Sequence, residues 1–195
     1  MGGRLVEGLG AALLARQVQL DGQELSGEFR RLDFQNQIDL VSEDLMARHW
    51  TEESLVIANS FGAYLFLHAQ LQLPKYVGRV VLLSSIVGEF CDSEIMMYFS
   101  PPRADKLFVL AREGRFVVPD RLEIYVGQDD WQSNPASVSK LFRHTGATVA
   151  KSVCRSIARQ IDCVNGICVC FGSRISQLVC ILCGMPMWLC FNSLI

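Results

Sequence analysis

Histidine is scarce in this chain: His49, His68 and His144 are the only three in 195 residues. Chemistry that needs an imidazole therefore falls on those positions, and none lies in the final quarter of the sequence. Cysteine is nearly missing from residues 1–150, where Cys91 stands alone. An excess of either charge is missing too. With 18 Lys and Arg against 20 Asp and Glu, the chain lacks the basic stripe that marks a nucleic-acid binder, so nucleic acid is not expected as a partner. The opening MGGRLVEGLG lacks the basic start and apolar core of a secretory signal. The expectation is a cytoplasmic protein, where a disulfide framework has no oxidising compartment to form in.

What is present divides after Ala150. Residues 1–150 hold 14 Lys and Arg against 19 Asp and Glu, whereas residues 151–195 hold Lys151, Arg155, Arg159 and Arg174 against Asp162 alone, with seven of the eight cysteines. Half of all residues are hydrophobic, enough to bury a core as one domain. The expected organisation is one folded domain over 1–150 and an atypical Cys-rich tail over 151–195.

Within 1–150 the apolar pattern alternates between two periods. RLVEGLGAALLARQ places Leu5, Leu9, Ala12 and Leu13 on one helical face, and VQL before Asp21-Gly22 reads as a short strand and turn. Asp33 is placed to cap a helix whose stripe is Phe34, Ile38, Val41, Leu45 and Trp50. SLVIAN is a β-rich run, followed by the helical GAYLFLHAQLQ as far as Pro74. RVVLLSS and LEIYVG are two more buried strands, Pro135–Arg143 a helix, and ATVAKSV a last strand. Strands and helices taking turns predict an α/β fold, a three-layer sandwich around a mostly parallel sheet. In such sheets sites form at the carboxyl edge of the strands.

One junction at that edge carries a chemical pattern. In LVIANSFGAYLFLHAQ, residues 55–70, a buried strand passes into a helix through Asn59-Ser60-Phe61-Gly62. The pattern is small-x-Ser-x-Gly, with Ala58 in the place of the first glycine of G-x-S-x-G and Gly62 as the second. Small residues are needed because the turn brings two backbones close. The turn lifts the Ser60 hydroxyl off the sheet edge and puts the Phe61 N–H at a helix N-terminus, where a developing oxyanion could be held. The bland alternative is a serine that caps an ordinary helix.

YVGQDDWQSNP, residues 125–135, follows a late strand with two carboxylates. Together with the elbow and the RVVLLSS strand, this makes residues 51–135 resemble the α/β-hydrolase superfamily, in the form of a small bacterial-type serine hydrolase. The resemblance implies acyl transfer from an ester, thioester or amide, with Ser60 as nucleophile, the Phe61 backbone in the oxyanion hole, and a carboxylate that orients a histidine base. The G-x-x-D spacing from Gly127 favours Asp130 as that acid, with Asp129 as the alternative. No cofactor is implied, and the partner would be a small acyl substrate.

The family order is serine, acid, histidine, and no histidine follows the acid loop. His68 is eight residues beyond Ser60 on the same helix, about 12 Å along its axis. His49 precedes the elbow strand, and His144 ends the helix after the acid loop, so both are expected at the opposite edge of the sheet. All three read as surface or partly packed residues. The family's second oxyanion donor would lie upstream of residue 4, where only Met1, Gly2 and Gly3 stand; the fold reads as a hydrolase-like domain truncated at its amino end. The alternative function is a catalytically dead hydrolase-fold protein that binds a partner or ligand.

Residues 85–119 would sit over such a site. Met96 and Met97, with Ile95, Tyr98 and Phe99, could line an acyl pocket, and Trp131 could add a wall; the simpler reading is that they attach a cap to the sheet. The tail carries no charged residue from Ile175 to Ile195, long enough for a membrane tether. Pro186, Gly184, Gln177 and Asn192 weaken that reading. Cys180 and Cys183 form one C-x-x-C, with no second pair and no histidine, so no metal site is expected. An irregular tail, or one substituted through an altered reading frame, are the other readings.

Overall fold

The computed structural model describes residues 19–25, 27–92, 97–128, 130, 133–152 and 177–182. In chain order the strands are β1 (Gln19–Glu24), β2 (Ser54–Asn59), β3 (Arg79–Leu83), β4 (Phe90–Asp92), β5 (Met97–Phe99), β6 (Arg121–Gly127), β7 (Thr148–Ser152) and β8 (Gln177–Leu182). The helices are α1 (Phe34–Arg48), α2 (Phe61–Gln70), α3 (Lys106–Arg112) and α4 (Pro135–Phe142).

SLVIAN is apolar between its two polar ends, and all of β2 is buried. A strand of that kind belongs in the middle of a parallel sheet. It is there: six strands pair in the order β1-β8-β2-β3-β6-β7, every pair parallel. Side chains alternate across the sheet. Val56, Ala58, Val80, Leu82, Leu122 and Ile124 join one core with Ile38, Val41 and Leu45 of α1. Leu55, Ile57, Val81 and Leu83 occupy the alternate positions and are equally buried. The α/β class with a parallel sheet, expected from the alternating pattern, is the class of this chain.

The helices follow from their sequences. Asp33 caps α1, its side chain accepting from the Asn36 N–H at 2.9 Å. FGAYLFLHAQ is apolar nearly all round, which suits a helix enclosed by protein, and every residue of α2 after Phe61 is buried. β4 and β5 form a separate antiparallel pair within the insertion.

Two expectations change. Asp21-Gly22 does not turn; β1 runs through both, because β8 supplies a backbone partner to each of its six residues, Gln19 with Gln177 through Glu24 with Leu182. Pairing of this kind overrides local turn preference. ATVAKSV is not the last strand either. The sheet continues past Ala150 in β7, and residues 177–182 of the apolar tail lie between β1 and β2. The helical pattern at residues 4–16 and the rest of the tail, with its cysteines other than the β8 position Cys180, lie outside the described residues. Among the described residues, no helix is long and apolar enough to cross a membrane.

Candidate active site

Ser60 takes the turn from β2 into α2 with φ 52° and ψ −117°. A residue with a side chain pays steric strain at positive φ, and such conformations persist where the surroundings fix them. Those surroundings are backbone. The Ser60 N–H donates to the Leu83 carbonyl at 2.9 Å, and its own carbonyl accepts from the N–H groups of Tyr64 at 3.3 Å and Ile86 at 3.4 Å. Ser60 is half-buried and its hydroxyl makes no helix-cap hydrogen bond, so the bland capping role is not the one it plays. Ala58 and Gly62, on either side, are buried.

Phe61 opens α2, so its N–H has no carbonyl of the same helix to bond. Its ring is fixed between Phe34, at 6.2 Å, and Tyr64, at 5.9 Å. The Tyr64 hydroxyl in turn donates to the Pro102 carbonyl at 2.8 Å, tying the insertion to α2.

The neighbouring strands end at the same level. Asn59 stands beside Leu83 and Leu83 beside Tyr125, and Ser84 extends the ladder by donating to the Tyr125 carbonyl at 2.9 Å. Asp130 follows β6 at this carboxyl edge, two strand spacings from Ser60, roughly 10 Å across the sheet. Its N–H donates to the Gly127 carbonyl at 3.2 Å, its Oδ1 accepts from the Ser133 N–H at 3.1 Å, and its carbonyl accepts from the Asn134 N–H at 3.1 Å. One carboxylate oxygen thus holds the turn that leads into α4. Asp129, Trp131 and Met96 lie outside the described residues. Met97 belongs to β5, where only its backbone is described. Of the other pocket candidates, Tyr98 is exposed and Phe99 packs on Phe90 at 5.1 Å.

None of the three histidines reaches this edge. His68 sits near the far end of α2, edge-on to Tyr64 at 4.5 Å and to Phe34 at 5.0 Å. Burial in that aromatic cluster, with smaller contributions from Arg103 and Lys106, pushes its pKa down to about 4. His49 follows α1 at the start of the β2 side, its Nε2 3.3 Å from Asp21 Oδ2. His144 is exposed after α4, where the chain turns back toward the beginning of β7. The expectation that all are surface or partly packed is corrected for two of them: His49 and His68 are each 3% exposed. Spacing along a helix does not reveal that Phe34, from a different helix, closes over the His68 ring.

No family model and no curated protein matches the chain in sequence. The site is therefore read from its own geometry. Among the described residues no cluster of His, Cys, Asp and Glu could hold a metal ion. Several polar groups at or just past the carboxyl strand ends escape sequence reasoning. Ser84 also has positive φ, 45°. Asn59 Oδ1, Ser85 Oγ and Ser133 Oγ are buried and have no hydrogen-bond partner among the described residues, a condition that needs a reason wherever it occurs. The one signal for them is the pair of hydroxyls that closes RVVLLSS, beside the elbow. Ser133 and Asn59 read as ordinary loop and strand-end residues.

Proposed function

We propose that the carboxyl edge of β2, β3 and β6 is a serine-hydrolase-type site on a three-layer α/β-hydrolase-like fold, in a form that lacks its base. Ser60 is the nucleophile toward an ester, thioester or amide, the Phe61 N–H receives the oxyanion, and Asp130 occupies the acid position. The observation that carries the reading is the backbone of Ser60, φ 52° and ψ −117° between a buried parallel strand and a helix. That turn presents a hydroxyl beside free helix N–H groups. The reading places the chain in the cytoplasm with a small acyl compound as its ligand.

The missing base sets the expected rate. In a serine protease, loss of the histidine costs about 10⁶ in turnover, or about 8 kcal/mol of barrier. This chain should therefore bind carbonyl compounds and accept acyl groups from activated esters, while turning them over far below the rate of a complete triad. A binding protein with no acyl transfer is the second reading. It is favoured by Asp130, whose Oδ1 is committed to its own turn.

Incubation with p-nitrophenyl butyrate, followed by intact-mass and peptide mapping, separates the two. The proposed reading expects an acyl adduct on Ser60 that is lost in Ser60→Ala. Adducts confined to other side chains would leave only the binding protein, and ordinary esterase turnover, about 1–10³ s⁻¹, would mean that a base is present after all.

A further inference from the structure

We infer that Ser84 is a positioning residue for the elbow, the residue that holds Ser60 in its strained conformation. Its importance for acyl transfer rests on the reading of Ser60 as nucleophile; its geometry does not. Ser60 is gripped at both ends of its own backbone by one short segment. Its N–H is bonded to the Leu83 carbonyl and its carbonyl to the Ile86 N–H, at 2.9 and 3.4 Å. For a carbonyl at 83 and an N–H at 86 to face the same residue, the chain must turn sharply between them.

Ser84 makes that turn, at φ 45°. Its φ is the torsion that sets the plane of the Leu83 carbonyl against the chain leading to Ile86, so changing it breaks one anchor or the other. The Ser84 N–H meanwhile stays on the sheet, donating to Tyr125 at 2.9 Å. Ser84 is thus the point where the chain leaves the β3–β6 ladder and closes around Ser60. It is 3% exposed. Two residues with side chains at positive φ, on adjacent strand ends at the same register, form one strained unit. Neither position is an isolated turn outlier.

The side chain at 84 decides whether that unit holds. Glycine reaches positive φ without cost, serine at some cost, and a β-branched residue only as an outlier. Hydrogen exchange of the Ser60 amide in the full chain, measured for wild type, Ser84→Gly and Ser84→Val, tests this directly. Ser84→Val should raise exchange at Ser60 by about tenfold or more, the strain of one such residue expressed as an equilibrium, while Leu82 stays protected. Ser84→Gly should leave Ser60 within about threefold of wild type. Where the valine variant does not fold, the glycine variant decides: protection kept supports the assignment, protection lost overturns it. Unchanged exchange in a folded Ser84→Val also overturns it.

The same measurements in a Ser60→Ala background, which keeps the amide, read the clamp without any chemistry. Acylation of Ser60 from p-nitrophenyl butyrate should fall in Ser84→Val and survive in Ser84→Gly. If wild type shows no adduct while the exchange pattern holds, the clamp stands and the nucleophile reading fails.

Discussion

Ser60 and His68 lie on one turn-and-helix segment, and burial treats them in opposite ways. At Ser60 the backbone is strained and the hydroxyl is left free of cap bonds; at His68 the backbone is ordinary and the ring is enclosed by Phe34 and Tyr64. A histidine held near pKa 4 is neutral at pH 7 and cannot reach the elbow. Its burial should nonetheless make the fold less stable in acid. The folded pKa lies below the ordinary 6.5, so the unfolded chain takes up the proton first as pH falls. Stability should drop between pH 6.5 and about 4 by up to about 3 kcal/mol and level off below that. His68→Phe, which keeps an aromatic ring in the cluster, should remove that part of the slope; urea unfolding of both chains across this range measures it. The elbow was legible at this scale because its demand is local: small, serine, glycine after an apolar run. The burial of His68 was not, since Phe34 approaches from a separate helix.

At the scale of elements, the cap of α1 and the seat of β8 show the difference between local and distant causes. Asp33→Ala removes the acceptor for the Asn36 N–H and should cost about 1 kcal/mol, read by chemical denaturation. Gly78 is readable only in three dimensions. A Cβ there would stand 2.6 Å from the Ser54 carbonyl and 2.8 Å from that of Thr51, so Gly78→Ala should destabilise by about 1–3 kcal/mol, because backbone must move to admit it. β8 was the least legible element. An uncharged stretch such as QLVCIL names neither of its partners, and the run it belongs to, Ile175 to Ile195, is as long as a bilayer span. The pairing shows what it does: among the described residues, β1 has no ladder with β2 and joins the sheet through β8 alone. Cys180 pairs with both Gly22 and Ile57. Cys180→Pro removes an N–H from a strand paired on both sides and should destabilise the sheet, with amide protection lost first in β1. A chain that keeps that protection would contradict the pairing.

For the molecule as a whole, the parallel sheet brings the ends of β2, β3 and β6 together, and the sequence foretold that edge from alternating strands and helices. The proposed site at that edge has Ser60 and Asp130 but no imidazole, because His49, His68 and His144 all lie elsewhere. On the proposed reading, a strained serine with an oxyanion donor and no base has a specific remedy, because a small base supplied from solution can stand where the side chain is missing. The most direct measurement is the rate of fluorophosphonate labelling, followed by intact mass, for wild type and Ser60→Ala with and without added imidazole. The account predicts slow labelling of wild type that imidazole accelerates, and none at that position in Ser60→Ala. Labelling that is already fast without imidazole, that imidazole leaves unchanged, or that persists in Ser60→Ala would contradict it.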